Sequence, residues 1–277
     1  MKVALVQLCV SDDPAANLPQ TSDLIREAAA SGARLIATPE CTNMISPSRE
    51  HQRAVLRNEA DDPTLAALRD EARAAGAWLL IGSLALKGDA GGRFVNRSFL
   101  IAPDGAIAAR YDKIHMFDVT ISESESYRES AAYQPGDRAV LAQGPAPLGM
   151  TICYDLRFPA LYRALAQAGA AILAVPSAFS QTTGAAHWHA LLRARAIENG
   201  AFVIAPAQTG AHPAPHADER APRRSYGHSL IVSPWGEVLA DAGTEPGIAI
   251  AQLDLAEVDA ARSRIPSLTH DRSFAAP

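Results

Sequence analysis

The sequence has few cysteines, three in 277 residues. Cys9, Cys41 and Cys153 are an odd number at unrelated spacings, which argues against a disulfide framework and against a cysteine-based metal site. Unpaired thiols are typical of proteins from a reducing compartment. We therefore expect a cytoplasmic protein whose thiols are free.

Long apolar runs are also missing. No stretch reaches the roughly 18 residues that a membrane-spanning helix needs. The N-terminus, "MKVALVQLCVSDD", has one short apolar run that stops at two aspartates, with no small-residue cleavage pattern after it. This run predicts a first β-strand, not a signal peptide, and we expect no membrane partner.

The sequence lacks an excess of positive charge. Its 25 basic and 30 acidic residues give a net charge of −5 and are spread along the chain, so no basic stripe matches a nucleic-acid backbone. A glycine-rich phosphate loop is absent, as is any histidine and aspartate pattern with metal-ligand spacing. We therefore expect no nucleic-acid partner, no cofactor and no metal.

What is present is a repeated unit, in which a helical stretch ends at a glycine and a short apolar run follows. Four copies place their glycines at Gly32, Gly76, Gly169 and Gly200. Because such units alternate from end to end without a linker, they predict an α/β fold in a single domain, residues 1–277.

Two hairpin signals indicate that the sheets are mixed. "RSFLIAPDGAIAARYDK" and "SLIVSPWGEVLADAG" each predict two strands around a tight turn. Two segments, 112–138 and 209–225, show no periodicity. Loops of that length in a compact domain are often functional, so we expect both segments to cover a site.

The segment "GMTICYDLRFPALYR" places Cys153 where a buried strand gives way to a helix. Strand ends that face a helix start are where open α/β sheets place their chemistry. A free thiol has a pKa of about 8.5, so a nucleophilic cysteine needs a base close by. The alternative is that Cys153 is a small buried hydrophobe.

Two charged residues at strand ends are candidate partners for this thiol. Glu40 follows the apolar run "LIATP", and Lys113 follows the outer strand of the first hairpin. Because buried charges are costly unless matched, these two residues can form a structural ion pair or belong to a catalytic site. The residues alone leave both alternatives open.

Taken together, the segments "LIATPE", "RYDKIHMFD" and "GMTICYDLRFPALYR" resemble the nitrilase, or carbon–nitrogen hydrolase, superfamily, whose members carry a Glu, a Lys and a Cys in this order. The resemblance extends over nearly the whole chain and is strongest to the Nit-type branch of omega-amidase and deaminated glutathione amidase relatives. It implies a four-layer α-β-β-α sandwich with mixed sheets. It also implies a homodimer or a higher even homo-oligomer.

The same resemblance implies roles for five residues. Glu40 would be the general base, Lys113 the cationic stabiliser and Cys153 the nucleophile. A second acid is usual in the family some residues before a Pro-Gly pair, and "RESAAYQPGD" places it at Glu129 instead of Glu123 or Glu125. The backbone N–H of Tyr154 would help Lys113 to hold the oxyanion.

The reaction implied is hydrolysis of a linear amide of a small carboxylic acid, of the deaminated-glutathione or omega-amide type, through a thioester. Only a small amide and water would take part. Arg157 is a candidate for binding a substrate carboxylate or for pairing with Asp155, and His187 and Trp188 are candidates for lining the pocket. Alternatives are a nitrilase, an N-carbamoyl hydrolase or a catalytically silent binding protein on the same fold.

Overall fold

A computed structural model describes residues 1–88, 92–123, 125–216 and 222–275. Sixteen strands lie within these residues: β1 (Lys2–Gln7), β2 (Leu35–Ala37), β3 (Trp78–Lys87), β4 (Phe94–Ile101), β5 (Ile107–Asp112), β6 (Asp118–Thr120), β7 (Ser126–Arg128), β8 (Val140–Gln143), β9 (Pro147–Met150), β10 (Ile172–Ala174), β11 (Phe202–Ala205), β12 (Thr209–Ala211), β13 (Arg224–Tyr226), β14 (Leu230–Val232), β15 (Val238–Asp241) and β16 (Gly247–Gln252).

The helices of the described residues divide into α-helices and short 3-10 helices. The α-helices are α1 (Pro14–Ala30), α2 (Arg49–Val55), α3 (Pro63–Ala75), α4 (Pro159–Gln167), α5 (Gln181–Asn199) and α6 (Ala256–Arg264). The 3-10 helices are Glu59–Asp61, Glu129–Ala131, Cys153–Arg157 and Ser267–Thr269. Among them, no helix combines the length and apolar character that crossing a membrane requires.

Two six-stranded mixed sheets form the centre of the molecule. Their strand orders are β16-β1-β2-β3-β4-β5 and β8-β9-β10-β11-β14-β15. In both orders the first pair is antiparallel, the next two are parallel and the last two are antiparallel. The two sheets therefore repeat one pattern of strand directions.

The sheets pack face to face, with helices on the outside. Val3 and Leu5 of β1 join the cluster shared with the second sheet, whereas Ala4 and Val6 pack with the buried faces of α1 and α3. This alternation follows from the two-residue period of a strand. Helices α4 and α5 cover the outer face of the second sheet. The arrangement is the predicted α-β-β-α sandwich.

Local sequence signals explain where the helices begin and end. Asp62 caps α3 by accepting a hydrogen bond from the Leu65 amide at 2.8 Å, and Pro63 occupies the first helical position. Gly76 ends α3 with a φ of +59°, and Gly200 ends α5 with a φ of +53°. Glycine adopts this left-handed conformation without the steric cost of a Cβ.

The two segments without sequence periodicity contain short hairpins. Strands β6 and β7 pair within 112–138, and β12 pairs with β13 across the second segment, from Thr209 to Tyr226. Parts of both segments line the cavity described next, as predicted. Ser124 and residues 217–221 belong to these segments and lie outside the described residues.

Candidate active site

A cavity of about 540 Å³ opens where the carboxyl ends of parallel strands from both sheets meet. Glu40 comes three residues after β2, and Cys153 comes three residues after β9. Lys113 directly follows β5, and Glu129 directly follows β7. All four side chains line this one cavity, although they come from widely separated parts of the sequence.

Glu40 is 3% exposed, and both of its carboxylate oxygens are hydrogen-bonded. Oε1 accepts from Lys113 Nζ at 2.9 Å and from Asn96 Nδ2 at 2.9 Å. Oε2 accepts from the backbone N–H of Ala178 at 2.8 Å. Burial acts to raise the pKa of Glu40, but the Lys113 ammonium outweighs it and the pKa is lowered. Glu40 is therefore an ionised carboxylate.

Lys113 lies between two carboxylates. Its Nζ donates to Glu40 Oε1 at 2.9 Å and to the two oxygens of Glu129 at 3.1 and 2.9 Å. Burial acts to lower the pKa of Lys113, but the charges of Glu129 and Glu40 raise it well above its ordinary value. The side chain is 2% exposed and stays an ammonium group.

Glu129 is fixed by contacts from both sides of its loop. Besides Lys113, the backbone N–H of Phe117 donates to Glu129 Oε2 at 2.7 Å. The Pro-Gly pair downstream explains its placement, because the Gly136 N–H donates to the Lys113 carbonyl at 2.8 Å. A Cβ on Gly136 would collide with the Asp112 carbonyl oxygen. Glycine is required for this close return of the loop onto β5.

The other acids considered for this position lie elsewhere. Glu125 lines the cavity, but its carboxylate accepts from the Tyr127 hydroxyl at 3.1 Å and from the Thr182 hydroxyl at 3.1 Å. Glu123 is exposed and does not line the cavity. Of the three acids, Glu129 is the one that hydrogen-bonds to Lys113.

Cys153 has a left-handed backbone, with a φ of +49°, although it is not glycine. Such a conformation in a side-chain-bearing residue is uncommon and is found preferentially at functional sites. Its N–H donates to the Pro176 carbonyl at 2.9 Å. Burial and the neighbouring Glu40 carboxylate both raise the pKa of the thiol well above its ordinary value. At rest, therefore, a neutral thiol lies beside an ionised acid.

Asp155 holds the segment that carries Cys153. This fully buried carboxylate accepts from the Tyr111 hydroxyl at 2.6 Å and the Ile152 N–H at 2.8 Å. It also accepts from the N–H of His115 at 3.0 Å and from His115 Nδ1 at 2.7 Å. These contacts show that Asp155 is not the partner of Arg157.

Tyr154 lines the cavity, and its ring makes edge contacts with Phe117 and Phe158 at centroid distances of 5.2 and 5.4 Å. Within the described residues, no acceptor takes the backbone N–H of Tyr154. That amide is available to a ligand in the cavity.

The structure does not place the other three predicted binding residues on the cavity. Arg157 contacts the outward-facing His187 at 3.3 Å and lies over the Phe179 ring at 5.3 Å. Trp188 is fully buried, and its Nε1 donates to the His228 carbonyl at 2.8 Å. Only the first turn of α5 reaches the cavity, while Trp188 faces the core and His187 faces solvent.

Asn96 and Arg223 are polar cavity residues that were not identified from the sequence. Asn96 donates to Glu40 at 2.9 Å and to Glu129 at 3.4 Å, so it aligns both acids. The sequence feature that could have identified Asn96 is an amide side chain in the otherwise apolar start of β4. Arg223 lies just before β13, and its only signal was its place in the segment 209–225.

Two groups of metal-binding residue types occur among the described residues, away from the cavity. Asp12, His51 and His216 form one group, and His189, His228 and Asp241 form the other. In the second, His228 Nδ1 and His189 Nε2 contact Asp241 at 2.9 and 3.1 Å. Ordinary hydrogen bonds account for both arrangements, and neither group includes a residue that lines the cavity.

Comparison with known proteins shows which family the chain belongs to. A family model described as carbon-nitrogen hydrolase matches residues 2–263. The deaminated glutathione amidase of Yersinia enterocolitica is 38% identical over 273 residues, which cover 98% of this chain and 92% of that protein. Omega-amidase NIT2 of Bos taurus is 37% identical over 273 residues, which cover 98% of this chain and 95% of that protein.

A solved amidase structure is similar in fold. It is a glutamate-to-glutamine mutant of the amidase from Nesterenkonia sp. AN1, with the acetamide moiety of fluoroacetamide added covalently at the active-site cysteine. It superimposes with a TM-score of 0.78 at 28% identity and covers 98% of this chain and 94% of that chain. These matches confirm the resemblance and the prediction of a hydrolase that acts on carbon–nitrogen bonds. The chain belongs to the carbon–nitrogen hydrolase family.

Proposed function

We propose that the protein hydrolyses a linear amide of a small carboxylic acid, of the deaminated-glutathione or omega-amide type, with Cys153 as the nucleophile. One observation carries the proposal: a neutral thiol lies beside the ionised Glu40, whose Oε1 accepts a hydrogen bond from the Lys113 ammonium at 2.9 Å. A nucleophile, a base and a cation at one cavity are the groups that amide hydrolysis needs.

In the first half of the reaction, the Cys153 sulfur attacks the amide carbonyl carbon while the thiol proton passes to Glu40. The carbonyl oxygen takes the negative charge of the tetrahedral intermediate. Glu40 then gives its proton to the departing nitrogen, and the carbon–nitrogen bond breaks. An amine or ammonia leaves, and the acyl group stays on the sulfur as a thioester.

In the second half, Glu40 removes a proton from a water molecule, and the resulting oxygen attacks the thioester carbon. The carbon–sulfur bond breaks, and the proton on Glu40 returns to the sulfur. The carboxylic acid product leaves, and the resting thiol is restored. One acid therefore serves as base and as proton donor in both halves.

Two groups are proposed to stabilise the oxyanion: the Lys113 ammonium and the backbone N–H of Tyr154. Both line the cavity, and the Tyr154 N–H has no acceptor within the described residues. Glu129 holds Lys113 in place through two hydrogen bonds. Loss of one oxyanion donor commonly lowers kcat by about 10²–10³-fold.

The test is a substrate panel with two readouts. Amides of dicarboxylic acids, a nitrile and an N-carbamoyl compound are incubated with the protein, and released ammonia or amine is measured. Intact mass spectrometry detects the acyl group on Cys153. We expect turnover of the amides, and a loss of at least ~10³-fold in Cys153→Ala. Turnover by Cys153→Ala would overturn the nucleophile assignment, and preference for the nitrile would favour the nitrilase alternative.

We further propose that the protein forms a homodimer or a higher even homo-oligomer. Ile197 on α5 and Trp235 in the turn between β14 and β15 are 51% and 56% exposed, and both lie on the side of the second sheet. The turn at Gly236 also approaches the Ile197 side chain. Light scattering measures the mass in solution, and a monomer at micromolar concentration would contradict the proposal.

Two further proposals concern the whole chain. Residues 1–277 form one domain, and the protein is located in the cytoplasm. One buried cluster contains side chains of both sheets, so neither sheet can bury its inner face alone. All three cysteines are free, which fits a reducing compartment. A single unfolding transition by calorimetry and fractionation of the host cell test the two statements.

A further inference from the structure

Arg223 is a cation on the cavity that the proposed reaction does not use. It lies immediately before β13, and its Nη2 donates to the Ala178 carbonyl at 2.7 Å. Its guanidinium lies over the Tyr127 ring at 5.5 Å. These contacts fix the position of the guanidinium but leave most of its five N–H donors free.

The Nε of Arg223 is buried and has no hydrogen-bond partner among the described residues. Buried polar groups are nearly always paired, because an unpaired one loses its bond to water without replacement. An arginine offers adjacent N–H groups in a planar fork that matches the two oxygens of a carboxylate. Arg223 therefore brings to the cavity a guanidinium whose Nε the protein leaves unpaired, which suits an anion bound there.

One residue links this guanidinium to the reacting groups. The Ala178 carbonyl accepts from Arg223, while the Ala178 N–H donates to Glu40 Oε2 at 2.8 Å. Two hydrogen bonds and the backbone of one residue connect them, so Glu40 Oε2 and Arg223 Nη2 lie at most roughly 9 Å apart. A short acyl chain can therefore place its amide beside Cys153 and its far end at Arg223.

The charge of the cavity points to the same class of ligand. Its lining carries four cationic side chains and three carboxylates, so it is net positive. Of the other two arginines, Arg49 donates to Gln52 at 3.0 Å and lies over Tyr133, and Arg128 is exposed on β7. Among the three arginines, a buried nitrogen without a partner is found in Arg223.

We propose that Arg223 binds a carboxylate on the acyl part of the substrate, so that the enzyme selects monoamides of short dicarboxylic acids over neutral amides. The proposal rests on the proposed function, because it assumes that the amide is cleaved at Cys153. It replaces Arg157 as the candidate carboxylate-binding residue.

The test compares glutaramate with pentanamide, which has the same chain length but a methyl group in place of the carboxylate. Both are assayed with the wild type, Arg223→Leu, Arg223→Lys and the matched control Arg224→Leu. Arg224 is the neighbouring, exposed arginine, and it donates to Gln181 at 2.9 Å outside the cavity.

We expect Arg223→Leu to lower kcat/KM for glutaramate by about 100-fold, mostly through KM, and to leave pentanamide within about threefold. Arg223→Lys should recover part of the loss, and Arg224→Leu should match the wild type on both substrates. Equal losses on both amides, or an unchanged glutaramate value, would overturn the proposal. If Arg223→Leu does not fold, the values of kcat/KM for glutaramate and pentanamide are compared in Arg223→Lys instead.

Calorimetric binding of glutarate separates this proposal from the proposed function, since it needs no turnover. We expect Arg223→Leu to weaken glutarate binding by at least ~30-fold and Arg224→Leu to leave it unchanged. If Arg223→Leu weakens glutarate binding but the wild type hydrolyses no amide, the proposed function is refuted and the anion site at Arg223 is supported. Turnover with glutarate binding that is independent of Arg223 would keep the function and refute the site.

Discussion

The proton on the Cys153 sulfur is the feature of the site that most constrains how it reacts. Burial and the Glu40 charge raise the pKa of this thiol, so it is not a preformed thiolate. Glu40 has a lowered pKa and is ionised when the thiol is not. The sulfur therefore becomes nucleophilic only as its proton moves to Glu40.

This predicts an unusual pH dependence for alkylation of Cys153 by iodoacetamide. A free thiol reacts faster as pH rises towards its pKa of about 8.5. Because Glu40 is already ionised above its ordinary pKa of about 4.3, we expect a rate that is nearly flat from pH 6 to 8. Glu40→Gln should react at least ~10-fold more slowly. A wild-type rate that rises tenfold per pH unit would contradict this assignment.

Lys113→Ala should cost stability as well as activity. It leaves the buried carboxylates of Glu40 and Glu129 without their cation, a loss of about 3 kcal/mol at pH 7. The melting temperature should fall by roughly 6 °C. Lys87→Ala, at the end of β3, is the control.

The sign of the pH dependence follows from burial. Without Lys113, burial raises the folded-state pKa of Glu40 above its unfolded value of about 4.3. The penalty is therefore largest at pH 7 and shrinks as the pH falls towards 5 and Glu40 is protonated. Thermal unfolding at several pH values measures this, and a deficit that grows on acidification would contradict the ion-pair assignment.

The sequence made Glu40, Lys113 and Cys153 identifiable because each directly follows a predicted strand, within a motif that resembles one family. Arg157 is a candidate because it lies four residues after Cys153, and nearness in sequence does not decide which side of a helix meets a cavity. The same holds for His187 and Trp188 on α5. Arg223 could not be found because its position depends on the pairing of β12 with β13.

At the scale of elements, the short helix Cys153–Arg157 is held by one buried acid. Asp155 accepts four hydrogen bonds, from Tyr111, Ile152 and His115. The bond to Ile152 lies next to Cys153 and supports its left-handed backbone. The strained position of the sulfur thus depends on a residue outside the cavity.

Asp155→Asn should lower stability by about 2–4 kcal/mol, because an amide nitrogen would face donors in place of an acceptor oxygen. We expect kcat to fall at least ~10-fold with little change in KM, since the sulfur and not the binding surface is displaced. Asp254→Asn, at an exposed acid before α6, is the control. Chemical denaturation measures the stability and steady-state kinetics measure kcat and KM. If Asp155→Asn has the stability and kcat of the wild type, Asp155 does not hold the Cys153 segment in place.

Elements with a clear apolar pattern were predictable, including the three-residue strands β2, β10 and β14, and short strands of polar residues were not. The helices that end at Gly32, Gly76, Gly169 and Gly200 carry periodic apolar faces and clear stop signals, and the structure confirms them. Strands β6, β7, β12 and β13 have three residues each, too few for an alternating pattern to be recognised.

At the scale of the whole molecule, Gln7 joins the two sheets. Its side chain is fully buried at the end of β1, and its Nε2 donates to the carbonyls of Gly243 and Glu245 at 2.9 and 2.8 Å. Its Oε1 accepts from the N–H and the hydroxyl of Ser229, just before β14. One amide therefore ties the first sheet to the second.

Gln7→Leu should leave several buried groups unpaired and destabilise the molecule by about 3 kcal/mol. We expect one unfolding transition at a lower temperature and a kcat close to that of the wild type, since Gln7 does not line the cavity. The control is Gln143→Leu, at the exposed end of β8. Two separate transitions would show that the sheets unfold independently.

The repeated pattern of strand directions makes the two sheets equivalent strand by strand, so that β1 corresponds to β9 and β2 corresponds to β10. The two reacting groups do not follow this correspondence, because Glu40 follows β2 whereas Cys153 follows β9. The acid and the thiol therefore come from non-equivalent strands, and the site has no two-fold relation of its own although the sheets around it repeat each other.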